Sequence, residues 1–212
     1  MRRRVAATAL VACGALLVGC SDGGSSSASA CDIDVTTPDL ARDRTAAGIA
    51  DCDWPEPGTE GAGAAAKLPD VRLECLGGDT ARSLAQVPGP AVINFWASNC
   101  GPCRKEMPVL AEFDRRYGDQ VRVIGVDHLE TYPGAALDLA RQSGVRYPSL
   151  ADPCGALQKT DLVIQGKPQF VFVAPDGSTT QVPGGIDSLE RLIELVRTGT
   201  GVDVTAARGG AG

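Results

Sequence analysis

The sequence predicts an α/β fold, a three-layer α/β/α sandwich around a central mixed β-sheet. Three observations lead there. Apolar runs bounded by turn residues, at Ala91–Trp96 and at 121–126, read as buried strands. Helical patterns follow each of them, so strands and helices alternate. Near the end, the runs 169–174 and 179–182 flank Pro175-Asp176-Gly177-Ser178, the signature of a hairpin, which brings antiparallel strands into the sheet.

The 212 residues, 43% hydrophobic and 22% charged, suffice for one domain with a real core plus extra segments. The formal net charge is −6, and no long basic run lies beyond the first residues, which argues against a nucleic-acid partner.

The chain opens with Met1-Arg2-Arg3-Arg4, an apolar stretch over 5–18 too short for a comfortable membrane span, and then Leu17-Val18-Gly19-Cys20 before a Ser/Gly-rich run. This is the pattern of a secretory signal peptide over residues 1–19. Residues 20–66 read as a tether carrying a small Cys31/Cys52 motif. Within it Thr37 is placed to cap a short helix, Pro38 fits its first position and Gly48 its stop, and 55–66 is a Gly/Ala/Pro-rich linker.

The main domain is expected over 67–197. Residues 71–76 alternate as a strand and end at the turn signal Gly77-Gly78. Ala91–Trp96 is the central strand, Gly101–Tyr117 a helix containing Pro108, 121–126 a second buried strand, and 133–143 a helix stopped by Gly144. Asp152-Pro153-Cys154-Gly155 is a turn, 156–161 a short helical piece, and 186–197 the closing helix. The Gly- and Ala-rich stretch 198–212 reads as a disordered tail.

The chemistry concentrates where the central strand meets the helix, at Cys100-Gly101-Pro102-Cys103. The first turn of a helix presents unpaired N–H groups and the positive end of the dipole, so a thiol there ionises more easily, and the thiolate is the nucleophile. Cys100 leads the turn as the more exposed thiol, and Cys103 lies close enough to close a small ring with it. That is a dithiol built to cycle between reduced and oxidised forms. A zinc site would want a second cysteine pair or two histidines, and the chain has one histidine, His128. No isolated cysteine stands out as a peroxidatic one.

The run Asn94-Phe95-Trp96-Ala97, followed by Cys100-Gly101-Pro102-Cys103-Arg104-Lys105-Glu106-Met107-Pro108, resembles the TlpA/ResA group of bacterial membrane-tethered thiol–disulfide oxidoreductases, within the thioredoxin superfamily. The resemblance covers roughly 67–197 and implies a thioredoxin-like sandwich. It implies an extracytoplasmic reductase of protein disulfides in which Cys100 attacks, Cys103 resolves the mixed disulfide and Glu106 exchanges protons with Cys103. It places a cis proline at Pro168, with Lys167 docking the substrate strand, and it requires neither cofactor nor metal. The partners it implies are protein thiol or disulfide substrates, apocytochrome c in cytochrome c maturation among them, and a membrane thiol-transfer protein as electron donor. The segment ending at Cys20 resembles the bacterial lipoprotein box, which implies a lipid on Cys20 and a site at the extracytoplasmic face of the cell membrane. Three departures stand out: Asn94 where thioredoxins bury an aspartate, Asn99 where they often carry tryptophan, and Lys167 where a small or β-branched residue is expected. Two alternatives remain, a disulfide-forming oxidase and a copper-binding chaperone using Cys100, Cys103 and His128.

With Cys13 lost in the signal and Cys20 lipidated, six cysteines remain, an even number that suits an oxidising compartment. Cys31, Cys52, Cys75 and Cys154 allow three connectivities. Short separation and the intervening helix favour Cys31–Cys52, leaving Cys75–Cys154 to pin the opening strand to the turn after Leu150.

Overall fold

The computed structural model describes residues 31–60 and 62–205. The expected signal peptide, Cys20 and the start of the tether lie outside the described residues.

Helix α1, Pro38–Ala47, begins as its sequence dictates: the Thr37 side chain accepts the Leu40 N–H, Pro38 takes the first position, and Gly48 closes the helix at φ 67°. Strands β1 (Arg72–Cys75) and β2 (Ala81–Ser83) form an antiparallel pair. Then come β3 (Ala91–Trp96), α2 (Gly101–Tyr117), β4 (Arg122–His128) and α3 (Pro133–Gln142), followed by β5 (Ser149–Asp152), β6 (Gln169–Val173), β7 (Thr179–Pro183) and α4 (Leu189–Thr200). Among the described residues these strands form one sheet of seven in the order β2-β1-β5-β4-β3-β6-β7. Strands β3, β4 and β5 run parallel and their neighbours antiparallel, which makes the sheet mixed.

Register sets what each face carries. Val92, Asn94 and Trp96 lie opposite Val123, Gly125 and Asp127 on one face, and Ala91, Ile93 and Phe95 point to the other. The first face packs against the helices, with Met107, Leu110 and Phe113 of α2, Ala136 and Ala140 of α3, and Leu192 and Val196 of α4. The second face is covered by Trp54, Ala66, Leu84, Leu157 and Leu162, which lie outside the α-helices.

Several expectations need correction. β5 carries no strand signal in the sequence, because all four of its residues are buried and none alternates. Helix α4 starts at Leu189, capped by Ser188, and runs to Thr200 rather than stopping at 197. Val204 beyond it is buried, so the expected tail does not begin at 198. From Cys31 onward the expected tether is packed into the domain: Val35, Leu40, Ala47 and Ile49 join the core that holds Trp96. The linker is bound as well, with Gly63 N–H donating to the Gly89 carbonyl and Ala64 N–H to that of Pro175.

The structural disulfides pair as Cys31–Cys154 and Cys52–Cys75, not as Cys31–Cys52 and Cys75–Cys154. The reason is geometric. A ten-residue helix is about 15 Å long, so α1 holds the segments around Cys31 and Cys52 apart instead of joining them. Cys75 stands opposite Leu150 in the β1–β5 ladder. Cys154 lies four positions further on, past the end of β5 at Asp152, where Cys31 is brought to it instead.

Candidate active site

The end of β3 and the start of α2 carry the redox pair. Cys100 is the N-cap of α2 and Cys103 sits in its first turn, and the two are joined in a disulfide. Cys100 is half-buried, flanked by exposed Asn99, Gly101 and Pro102, whereas Cys103 is buried in the core under α2. The Cys103 N–H donates to Cys100 Sγ at 3.2 Å. A helix-terminal amide thus already points at the sulfur that becomes a thiolate on reduction, and a charge-assisted contact of this kind favours the anion.

One turn below, Glu106 is buried. Its Oε1 accepts from Asn94 Nδ2 at 2.8 Å, and its Oε2 accepts from the Ile186 N–H at 3.2 Å. Burial pushes its carboxyl up to about 7, and those two hydrogen bonds only partly offset the rise. The carboxyl therefore titrates near neutrality, the range in which a group can both take and return a proton. Asn94 cannot titrate, and here it serves as the donor that orients Glu106.

The Lys167–Pro168 peptide is cis, and Pro168 is buried beside Gly185. A Cβ on Gly185 would meet Pro168 Cγ at 3.5 Å and Glu106 Oε2 at 3.6 Å, so the three residues pack together at this edge of the site. Pro102, residues 165–168 and residues 183–185 line an open groove of about 330 Å³ across it.

Lys167 does not reach toward that groove with its charge. Its Nζ donates to the His128 carbonyl at 2.6 Å and lies in the field of Asp127 and Glu130. Burial lowers its ammonium below the ordinary lysine range. Asp127 is buried, and desolvation together with the nearby Glu130 raises its carboxyl well above the usual range, with Lys167 opposing. Glu130 accepts from the Ser98 N–H at 2.9 Å, from the Ser98 hydroxyl, and from the Tyr132 N–H at 2.9 Å, while Arg104 Nε donates to the Ser98 carbonyl at 2.8 Å. The loop delivering Cys100 is therefore held from both sides. Sequence reading missed Glu130, Ser98 and Asp127. The acidic residues following an apolar strand were the available signal, but only the fold brings Glu130 to Ser98.

His128 is placed elsewhere than a copper site with the cysteine pair requires. Its ring is buried on the other face of the sheet, edge-on to Phe95, with Nδ1 2.9 Å from Asp152 Oδ2. Among the described residues, the donor atoms that gather in a group of three are those of Asp51, Cys52 and Cys75, and both of these thiols are committed to a disulfide.

Comparisons with known proteins agree with this geometry. A family model described as the AhpC/TSA family matches residues 64–182, more than half of the chain. The thiol-disulfide oxidoreductase ResA of Bacillus thuringiensis is 32% identical over 106 residues, covering 50% of this chain and 60% of ResA, so the chain spans less than two thirds of that relative. The thiol:disulfide interchange protein HelX of Rhodobacter capsulatus is 30% identical over 139 residues, 63% of this chain and 77% of HelX. Among solved structures, a secreted disulfide oxidoreductase of Mycobacterium tuberculosis described as homologous to E. coli DsbE superposes with a TM-score of 0.54. It is 25% identical and is matched over 61% of this chain and 96% of its own.

Proposed function

The chain belongs to the AhpC/TSA family, and from that membership and the geometry at Cys100 we propose that it is an extracytoplasmic thiol–disulfide oxidoreductase that reduces protein disulfides. The observation that carries the reading is the Cys100–Cys103 disulfide at the start of α2, with Cys103 buried one turn from a carboxyl that titrates near 7.

In the reduced enzyme the Cys100 thiolate attacks a sulfur of the substrate disulfide. The bond between the substrate sulfurs breaks, and one leaves as a thiolate. Cys103, having given its proton to Glu106, attacks Cys100 Sγ and expels the second substrate thiolate. The protein ends in the oxidised form with the Cys100–Cys103 bond, and two electrons have passed to the substrate. Pro168 has no N–H, so the cis-proline edge leaves room for an extended substrate strand beside the pair. Recharging reverses these steps with a dithiol donor, the role we assign to a membrane thiol-transfer protein. Gly101-Pro102 offers Cys100 neither charge nor side-chain donor, which favours the reductant direction over the oxidase. Apocytochrome c is the substrate we favour, on the resemblance to the ResA group.

The location rests on the signal-like residues 1–19, on Cys20 as the lipidation site, and on the two further disulfides, which suit an oxidising compartment. No helix among the described residues is long and apolar enough to cross a membrane. The domain boundaries proposed are residues 1–19 as the signal and the described body from Cys31 as one folded unit.

The test is turnover of a protein disulfide with a dithiol donor. Wild type is expected to accelerate insulin reduction, Cys100→Ser to abolish it, and Cys103→Ser to accumulate a mixed disulfide through Cys100. Activity retained in Cys100→Ser would overturn the assignment.

A further inference from the structure

The two structural disulfides differ in one respect that decides their chemistry. Cys52 and Cys75 are fully buried, whereas Cys31 and Cys154 are both exposed. Exchange needs an attacking thiolate to reach a sulfur, so access separates a reactive disulfide from an inert one.

The exposed disulfide also sits beside the active-site end of the sheet. Strands β3, β4 and β5 are parallel neighbours, and Cys100, residues 128–130 and Cys154 all follow their carboxyl ends. Cys154 lies in the turn that begins at Asp152, and Asp152 is a hub. Its side chain contacts His128 Nδ1 at 2.9 Å and accepts the N–H groups of Ala156 at 2.6 Å and Leu157 at 3.3 Å, and its carbonyl accepts the Leu129 N–H at 2.9 Å. From the segment thus held, the His128 carbonyl takes Lys167 Nζ and Glu130 takes Ser98. One flank of Cys100 and the docking segment at Pro168 therefore both hang on residues 128–130, which in turn hang on Asp152, the last residue of β5, two positions before the cysteine that Cys31 clamps.

We propose that Cys31–Cys154 is a second thiol-exchange site, opened by a dithiol, and that its redox state sets how firmly residues 128–130 hold Ser98 and Lys167 around the catalytic pair. In the exchange, one thiolate of the dithiol attacks a sulfur of the pair, breaking the Cys31–Cys154 bond and forming a mixed disulfide. The displaced cysteine leaves as a thiolate and takes up a proton. The second thiolate of the dithiol closes its own ring and releases the other cysteine. Two electrons move to the cysteine pair, and the dithiol ends as a disulfide. The consequence stays local. From Val35 onward the chain is held independently, by Gly77 N–H to the Val35 carbonyl, by Ala50 N–H to that of Arg146, and by the buried faces of α1 and α3. Reduction thus loosens residues 31–34 and residues 153–155, which follow Asp152 at the end of β5, without releasing α1.

The experiment uses the full chain, fully oxidised, in native buffer, treated in one arm with dithiothreitol and in another with a reduced thioredoxin. Samples are acid-quenched, alkylated and mapped by mass spectrometry, with Cys52–Cys75 as the internal control. Cys31–Cys154 is expected to open on the order of a hundredfold faster than Cys52–Cys75, which must wait for an opening of the core. Opening by dithiothreitol alone limits the site to small dithiols, and opening in both arms extends it to protein donors. Hydrogen exchange on protein reduced at both Cys31–Cys154 and Cys100–Cys103, compared with protein reduced at Cys100–Cys103 alone, is expected to rise about tenfold at the Leu129, Ala156 and Leu157 amides, and acylation of Lys167 to quicken. A Cys31→Ser/Cys154→Ser variant should show the same amide pattern with no reductant. None of these readouts uses turnover at Cys100, so their failure is separate from failure of the proposed activity. Reduction no faster than at Cys52–Cys75 would refute the exchange site, and opening with those amides unchanged would refute the coupling.

Discussion

Replacing Glu106 by glutamine tests the buried carboxyl by charge alone. In the fold the carboxyl titrates at about 7 instead of its ordinary 4.5, chiefly because it is desolvated. The folded state therefore keeps a proton that the unfolded chain has lost, and wild type loses stability as pH rises from about 4.5 through 7. At about 1.4 kcal/mol for each tenfold change, the full cost above that window is roughly 3 kcal/mol. Glu106→Gln removes the ionisation and so the pH-dependent cost. It keeps one acceptor for the two donors, Asn94 Nδ2 and the Ile186 N–H. Asn94 can rotate its amide, since its Oδ1 has no partner among the described residues, so the exchange of hydrogen bonds costs about 1 kcal/mol at most. The variant should match wild type or fall slightly below it at pH 4.5 and exceed it by about 2 kcal/mol at pH 8. Urea unfolding at both pH values measures this directly. Activity should move the opposite way: losing the proton acceptor for Cys103 should slow disulfide exchange by about a hundredfold and remove an inflection near pH 7 from the rate profile. A stability difference between variant and wild type that is the same at both pH values would refute the account of Glu106.

Three further outcomes follow from the packing. Gly125→Ala places a Cβ 2.2 Å from Ser149 Oγ and 2.7 Å from Trp96 Nε1, so it should destabilise the protein by about 1–3 kcal/mol in a denaturant melt, with the Trp96 fluorescence altered. Cys52→Ala/Cys75→Ala opens a loop with a sequence separation of 23 and should cost about 3 kcal/mol in the same measurement. Lys167→Met removes the cation that opposes the rise in Asp127, so its destabilisation should grow as pH rises through the Asp127 titration, which melts across a pH series would show.

Much of the redox site was legible because it is local. A buried strand, a three-residue interruption and a CxxC at a helix start lie within one continuous stretch, and β3 and α2 have the predicted bounds. Glu106 was legible for the same reason, one turn after Cys103. What could not be read were the contacts made across the sheet. Ser98 and Glu130 are 32 residues apart, and Lys167 reaches the His128 carbonyl across 39. No local pattern announces such pairs, because they exist only once β4 lies between β3 and β5. Lys167 shows the consequence most clearly: the sequence offers a charge beside Pro168, and the fold turns that charge inward to the His128 carbonyl.

The disulfide pairing shows how a sound principle can mislead. Preferring Cys31–Cys52 amounts to preferring the shorter loop. Yet loop-closure entropy grows only with the logarithm of length, so even the separation of 123 residues between Cys31 and Cys154 costs just 1–2 kcal/mol more than a loop of about 20. Positioning decides instead. Burying Leu40 and Ala47 of α1 against the core, together with Val35 and Ile49 on either side, holds the two ends of a rigid helix apart. It leaves Cys52 beneath β1, where Cys75 points, and Cys31 near the turn after β5. Leu40, Val35 and Ile49 each contribute about 1.5–3 kcal/mol on burial, so the packed face of α1 and its flanks outweigh any entropy saved by the shorter ring. The helix that sequence reading took as a bridge between two cysteines acts as a spacer. By that spacing it delivers one disulfide to the protected side of the sheet and the other to the rim of the active site.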